Sequence, residues 1–381
     1  VPGPLSSFLD QNHLDGFLYV GESYGDADMY YLSRFLAGDR FALLAGEEST
    51  LLVSSMELGR ARKESAAHRV LSTSDFHFLE KLKSGKTPDE AYALVLAEFL
   101  SQLLIQRLGV PCNFPAGVYS SLKQDFSIQI LDSPAASQRE IKRPEEIEAI
   151  ALTQRACEKA MRRAIRLIAS SEVRGDMLLR GGEPLTSDRV RLAIELSLLE
   201  NGCEAVDSIV AGGEQAADPH ARGVGPLPAH APIVIDIFPR SKSSRYFADM
   251  TRTVLKGEAS AEVGELYRAV EAAQEAGLQA VREGTTGSEV HRRVSDVFQE
   301  QGYPEREGCG FTHSTGHGVG LAVHERPSLS EAGGLLKSGQ VVTVEPGLYY
   351  PDLGGVRLED LVVVEKDGCH NLTHFQRKLV L

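Results

Sequence analysis

The apolar positions along the chain fall into two regimes. Over the first hundred residues or so, short and nearly continuous apolar runs occur at 16–20, Phe41–Ala45 and Thr50–Val53. Runs of four or five such residues between polar turns predict buried strands. The stretches 76–83 and 88–108 carry apolar residues at helical spacing instead. Strands alternating with helices predict a partly parallel sheet, and hence an α/β N-terminal domain over 1–137. The small, proline-containing Asp132-Ser-Pro-Ala-Ala-Ser137 marks its end.

From 138 to 381 the period changes. A helix is predicted from Pro144, with Glu145, Glu146 and Glu148 complementing the positive end of its dipole. Ile147, Ile150, Ala151, Cys157, Met161 and Ile165 recur along one face, which makes Cys157 a small buried hydrophobe rather than a reactive thiol. A second helix over 187–199 stops at Asn201-Gly202. Strands follow at 206–211, 231–238 and 245–255, then helices at 260–282 and 287–301, then strands at 340–350 and 356–365. The order helix, helix, strand pair therefore occurs twice. It predicts an α+β domain built from a duplicated ααββ unit around a central, mostly antiparallel sheet.

Composition narrows the class without naming a function. The chain has 381 residues, enough for two domains, and a net charge of −13. That charge argues against a nucleic-acid surface or an anionic-membrane patch. The five cysteines are odd in number and form no CxxC pair, which points to free thiols in a reducing, cytoplasmic compartment. The opening Val-Pro-Gly-Pro-Leu lacks the basic-then-apolar pattern of a leader, and no apolar run approaches the ~18 residues of a membrane span.

The chemistry lies in four acids set in apolar strand context: Asp236 in Val-Ile-Asp-Ile, Asp249 in Ala-Asp-Met-Thr-Arg-Thr, Glu345 in Val-Glu-Pro-Gly and Glu359 in Val-Arg-Leu-Glu-Asp. A lone acid in such a place often lies on a solvated sheet edge. Four of them, with His317 between the pairs, are costly to bury unless they coordinate cations. Such a donor set suits two hard or borderline divalent ions, which activate water for hydrolysis. Alternation puts Asp236 opposite Ile233, Ile235 and Ile237. It puts Arg357 on the same side as Glu359, where it could orient that carboxylate. His313, His317 and His324 are spaced by Gly316, Gly318 and Gly320, so an irregular backbone is predicted there rather than a helix.

The stretch His313-Ser-Thr-Gly-His-Gly-Val-Gly-Leu-Ala-Val-His-Glu325 resembles the histidine signature of the pita-bread metallopeptidases, in the branch of the Xaa-Pro dipeptidases (prolidases) and Xaa-Pro aminopeptidases. Tyr31-Leu-Ser-Arg-Phe35 is similar to that family's "YLTGF" element, and Arg139-Glu-Ile-Lys-Arg-Pro-Glu-Glu-Ile147 to its "R-x-I-K-x-x-E-E-I" linker helix. The resemblance implies a creatinase/prolidase-like N-terminal domain over 1–137 and a pita-bread catalytic domain over 138–381. It implies metal ligands at Asp236, Asp249, His317, Glu345 and Glu359. It implies catalytic roles for Glu345, His324 and His220, a pocket position for His313, and an orienting arginine at Arg357. Two divalent ions per chain are implied, Mn(II) or Co(II) first and Zn(II) as a further candidate. A homodimer acting on small Xaa-Pro peptides is implied as well.

One departure stands out. The family usually spaces its two aspartates eleven apart, whereas Asp236 and Asp249 are thirteen apart. Two added residues within 240–246 would lengthen a hairpin turn and reshape the pocket rim. An Xaa-Pro dipeptidase is the expected function, an Xaa-Pro aminopeptidase the nearest rival. A creatinase-like activity or a non-catalytic binding module fits less well, because all five ligand positions are kept.

Overall fold

A computed structural model describes residues 3–304 and 308–381. The chain divides into two compact units, Val1–Arg139 and Glu140–Leu381. The first holds a six-stranded sheet in the order 69–72, 50–53, 41–45, 16–21, 107–110, 127–130. The three strands 16–21, 41–45 and 50–53 pair antiparallel, and the remaining pairings are parallel. Alternate residues feed separate cores. Leu18, Val20, Leu44 and Leu52 pack with Val95, Leu96 and Phe99 of the helix Pro88–Gln102, whereas Phe17, Tyr19, Leu43 and Leu51 pack with Leu5, Leu9 and Met29. A sheet covered on both faces requires continuous apolar runs, which is why these strands read so plainly.

The helix expected over 88–108 ends at Gln102. Leu104 takes a left-handed φ of 58°, the chain turns, and Arg107–Val110 becomes the strand beside 16–21. No glycine or proline marks this stop, and the apolar content runs straight through it.

In the second unit the helix Pro144–Ala169 begins on the expected proline. Glu146 accepts from the Arg143 amide at 2.8 Å and from the Tyr246 hydroxyl at 2.7 Å. Burial works to raise the Glu146 pKa, but the hydrogen bonds from Arg143 prevail and hold it at about 2. The buried stripe runs through Ile150, Gln154, Cys157, Met161, Ala164 and Ile168. Ile147, Ala151 and Ile165 are only half-buried, so the stripe is rotated from the predicted line. Cys157 is fully enclosed, and burial pushes its thiol well above its ordinary range.

The helices Ser187–Glu200, Ala261–Ala280 and Gly287–Glu300 complete two helix pairs. A three-stranded meander over 172–184, too short to show a period, lies between Pro144–Ala169 and Ser187–Glu200. The strand expected at 340–350 is broken into Val341–Val344 and Gly347–Tyr350 by Glu345-Pro346. That at 356–365 is broken into Gly354–Arg357 and Asp360–Val364 by Leu358-Glu359. Proline cannot donate to a ladder, so Pro346 enforces the first break.

The ladders accordingly separate into an antiparallel trio (209–212, 233–237, 250–254), a pair (347–350, 354–357) and a five-stranded antiparallel sheet containing 316–318, 341–344 and 360–364. Their seam is stitched by backbone and side-chain hydrogen bonds. The Glu359 amide donates to Thr251 O at 3.1 Å. Thr253 Oγ1 donates to Arg357 O at 2.9 Å and accepts from the Arg357 amide at 3.0 Å. The two ααββ halves thus share one central surface.

Candidate metal centre

All nine side chains singled out in the sequence line one cavity of about 550 Å³: His220, Asp236, Asp249, His313, His317, His324, Glu345, Arg357 and Glu359. Asp236 projects from the strand Ile233–Ile237, whose isoleucines are buried. Asp249 precedes the strand Met250–Val254, and Glu345 and Glu359 occupy the two breaks. His317 sits on the short strand Gly316–Gly318, as an irregular rather than helical segment requires. That strand lies so close to its neighbour that a Cβ on Gly316 would fall 2.0 Å from Thr343 O, so only glycine fits.

His317 Nδ1 lies 3.1 Å from Gly318 O and donates to it, which fixes the tautomer. Its Nε2 is left facing Glu345 Oε1 at 3.2 Å and Asp249 Oδ2 at 3.8 Å. Donor atoms of Asp249, His317 and Glu359 all lie within 4.8 Å of one another. Asp236 Oδ1 and Glu359 Oε1 are buried with no hydrogen-bond partner among the described residues. Orphaned carboxylate oxygens of this kind are expensive.

Burial, then the neighbouring carboxylates, push Asp249 and Glu359 well above the usual carboxylate range. Burial also raises Asp236, with the Arg357 charge offsetting part of the rise. Glu345 differs: burial would raise it, but the hydrogen bond with His317 holds it at about 2. Four carboxylates and one imidazole, short of positive charge and with unsatisfied oxygens, fit divalent cations bound mainly by oxygen. Structural zinc would favour a cysteine-rich, closed set.

Arg357 departs from expectation. Its guanidinium turns to Asp236 Oδ2 at 2.7 Å, and Glu359 is oriented instead by Thr251 Oγ1 at 2.8 Å. The reason is the strand break, which ends the ladder at Arg357, leaves Glu359 outside it and voids the alternation argument. Arg357 Nη1 also donates to the Tyr349 hydroxyl at 2.8 Å. Tyr349 is 2.9 Å from His313 Nε2, and His313 Nδ1 donates to Ser314 O at 2.7 Å. Both ring nitrogens of His313 are therefore committed, and burial lowers its pKa. This neutral ring steadies Tyr349, and through it Arg357. His324 stands edge-on to His317 with centroids 4.3 Å apart; burial, then the His317 charge, lower its pKa. His220 is exposed at the cavity edge, its amide donating to Asp218 Oδ1 at 2.9 Å.

Three supports were not foreseen. Thr251 holds Glu359 as described. Gln154 exchanges hydrogen bonds with the Asp249 backbone, donating to its carbonyl at 3.1 Å and accepting from its amide at 3.2 Å. Arg252, 1% exposed, spends its donors on Thr251 O, Glu359 O, Asp360 Oδ1, Phe375 O and Gln376 O. That is the full guanidinium complement of five N–H groups. Arg252→Ala should cost about 3–5 kcal/mol in a denaturant titration, because it leaves several buried carbonyls unpaired and Asp360 with only Arg377 and Asn371 as partners. Arg252→Lys should recover little of it, having too few donors. A loss under 1 kcal/mol would contradict this reading.

The longer aspartate spacing also resolves differently from expectation. Residues 241–246 form a closed turn, with Ser241 N donating to Tyr246 O at 2.9 Å and Arg245 N to Ser241 O at 3.0 Å. Arg240 and Arg245 both clamp Glu204 at 2.7 Å. Among the described residues Phe238 and Asp249 line the cavity, and the turn between them does not.

Residues 148–366 match metallopeptidase family M24, and residues 5–141 match the creatinase/prolidase N-terminal domain. The chain belongs to metallopeptidase family M24. It is similar to an Xaa-Pro dipeptidase of Pyrococcus horikoshii, 31% identical with 98% of this chain and 96% of that protein covered. The crystal structure of the prolidase from Pyrococcus horikoshii OT3 superposes with a TM-score of 0.82 at 29% identity, covering 99% of this chain and 98% of that one. The X-Pro aminopeptidase of Thermotoga maritima MSB8 superposes with a TM-score of 0.80 at 28% identity, covering 97% and 98%. Among the described residues no helix is long and apolar enough to cross a membrane.

Proposed function

We propose that the chain hydrolyses the Xaa-Pro bond of dipeptides with the help of two divalent ions. The observation that carries this reading is the pair of buried, unpartnered oxygens on Asp236 and Glu359, beside His317 in a cavity of about 550 Å³. Full-length likeness to Xaa-Pro dipeptidases supports the substrate class. Asp236, Asp249, His317, Glu345 and Glu359 would hold the ions. Bound there, the ions supply Lewis acidity and a water of lowered pKa.

The remaining work falls to the chain. Glu345 passes a proton toward the prolyl nitrogen, a poor leaving group until protonated. His324 donates to the oxygen that gains charge as the carbonyl is attacked. Arg357, steadied by Tyr349 and His313, offsets part of the cost of burying the Asp236 charge and aims that carboxylate. His220 borders the substrate at the cavity edge. Mn(II) or Co(II) are the proposed ions, with Zn(II) a further candidate. A homodimer in a reducing, cytoplasmic setting completes the proposal.

An Xaa-Pro aminopeptidase is the second reading, favoured by the likeness to the Thermotoga protein. Exhaustive chelation should abolish hydrolysis of Leu-Pro, and Mn(II) should restore it. Full turnover in the stripped protein would end the metal proposal. Leu-Pro should be cleaved and Leu-Pro-Pro hardly at all; the reverse order would establish the aminopeptidase.

A further inference from the structure

We propose that Arg222 is the cation that receives the free carboxylate of the dipeptide, and that it sets the preference for dipeptides over longer peptides. This rests on the dipeptidase reading above. A dipeptide carries its negative charge on the same residue whose nitrogen leaves, so that charge must be met near the hydrolytic centre. Apart from the proposed ions, the side chains around it offer little positive charge. Its described lining includes the carboxylates Asp207, Asp236, Asp249, Glu345 and Glu359, with only two arginines, Arg222 and Arg357, and no lysine.

Arg357 is spoken for. Its side chain is 4% exposed and donates to Asp236, Thr251, Tyr349 and Pro219 O. Arg222 is different. Its Nε meets Asp207 Oδ1 at 2.6 Å, with the two side chains 56% and 61% exposed. No other group among the described residues engages its guanidinium. Exposed ion pairs contribute little to stability, so Asp207 can yield to an incoming carboxylate at small cost. The guanidinium fork suits a carboxylate in bidentate fashion.

The backbone beneath Arg222 is built to hold position. Its carbonyl accepts from Val210 N at 3.0 Å and from Arg191 Nη1 at 2.6 Å, and Arg191 Nη1 also reaches Gly223 O at 2.7 Å. Gln215 grips Val224 in both directions, at 3.1 and 2.8 Å. Gly223 has a φ of 77°, and a Cβ there would fall 1.8 Å from Val210 O, so this close approach of the loop to the strand requires glycine. On the other side, Asp207 holds a left-handed φ of 52°, two residues before Ile209, the cross-strand partner of Asp236. Strained backbone of this kind persists where surrounding structure fixes it, commonly at ligand clamps. Arg222 is thus tethered from both ends at the border of the site, two residues beyond His220.

The test compares Mn(II)-loaded wild type with Arg222→Gln and Arg222→Lys on Leu-Pro and on Leu-Pro-amide, which lacks the charge. Wild type should favour Leu-Pro. Arg222→Gln should raise KM for Leu-Pro about 10- to 100-fold with kcat nearly unchanged, the range of one charged hydrogen-bonding contact. It should erase most of the preference over the amide. Arg222→Lys should recover part of the loss. Equal losses on both substrates, a fall confined to kcat, or no change would overturn the assignment while leaving the dipeptidase reading intact. A wild type that cleaves neither substrate would overturn the dipeptidase reading itself.

Discussion

Glu359→Gln is expected to abolish metal-dependent hydrolysis and, in protein stripped of metal, to raise the melting temperature rather than lower it. The two effects share one cause. Asp249 and Glu359 have folded-state pKa values well above their ordinary 3.8 and 4.5, because burial and mutual repulsion disfavour their charge. The folded protein therefore holds protons there that the unfolded chain releases. By linkage, these groups favour folding at low pH, and their contribution is lost as pH climbs from the ordinary carboxylate range through the raised values. Each unit of elevation corresponds to about 1.4 kcal/mol. Through this pair, metal-free wild type should lose stability as pH rises above about 4.5, against the opposite pull of His313 and His324 with their lowered pKa values.

Glutamine keeps the volume and can still accept from Thr251, but it removes one buried charge. Its melting curve should fall less steeply with pH, and it should take up less metal. Scanning calorimetry in chelator across that pH range, with metal analysis of the reloaded protein, decides the matter. A metal-free variant less stable than wild type at neutral pH would show that the carboxylates are not in conflict.

Glu345→Gln is expected to lower kcat by about 10²–10⁴, the usual worth of a positioned general acid–base group, with little change in KM or circular dichroism. The low pKa of Glu345, about 2, reflects its hydrogen bond with His317. A cation held by His317 Nε2 and Glu345 would take the place of that bond and keep the carboxylate ionised, ready to accept a proton from water. Metal content of the variant separates two explanations. Retained metal with lost turnover assigns the proton role; metal lost in proportion to turnover reduces Glu345 to a ligand. Undiminished kcat would remove Glu345 from the chemistry.

The acids were legible because each is a charge among valines and isoleucines, where only a partner or an ion makes sense. His317 was legible from its glycine flanks. What escaped was the identity of the groups opposite them. Alternation assigns a residue to a face, but it cannot say what another strand or helix brings to that face from a hundred residues away. Arg252 reads as a charge on a strand, yet its partners are Asp360 and three distant carbonyls. Gln154 reads as a polar flaw in an apolar stripe, yet it serves as a surrogate strand for Asp249. Alternation also fails wherever a ladder is interrupted. Pro346 was a visible warning of one break, but nothing comparable precedes Glu359, so Arg357 was matched with the wrong carboxylate. The overrun of the helix at Leu104 has the same origin, a reversal that no glycine or proline announces.

Asp249, Glu345 and Glu359 all lie just outside hydrogen-bonded strands. Glu345 N still donates to Thr315 O at 2.8 Å and Glu359 N to Thr251 O at 3.1 Å, while Gln154 holds the backbone of Asp249. Kinks at these points turn the acids inward while the flanking rungs stay paired.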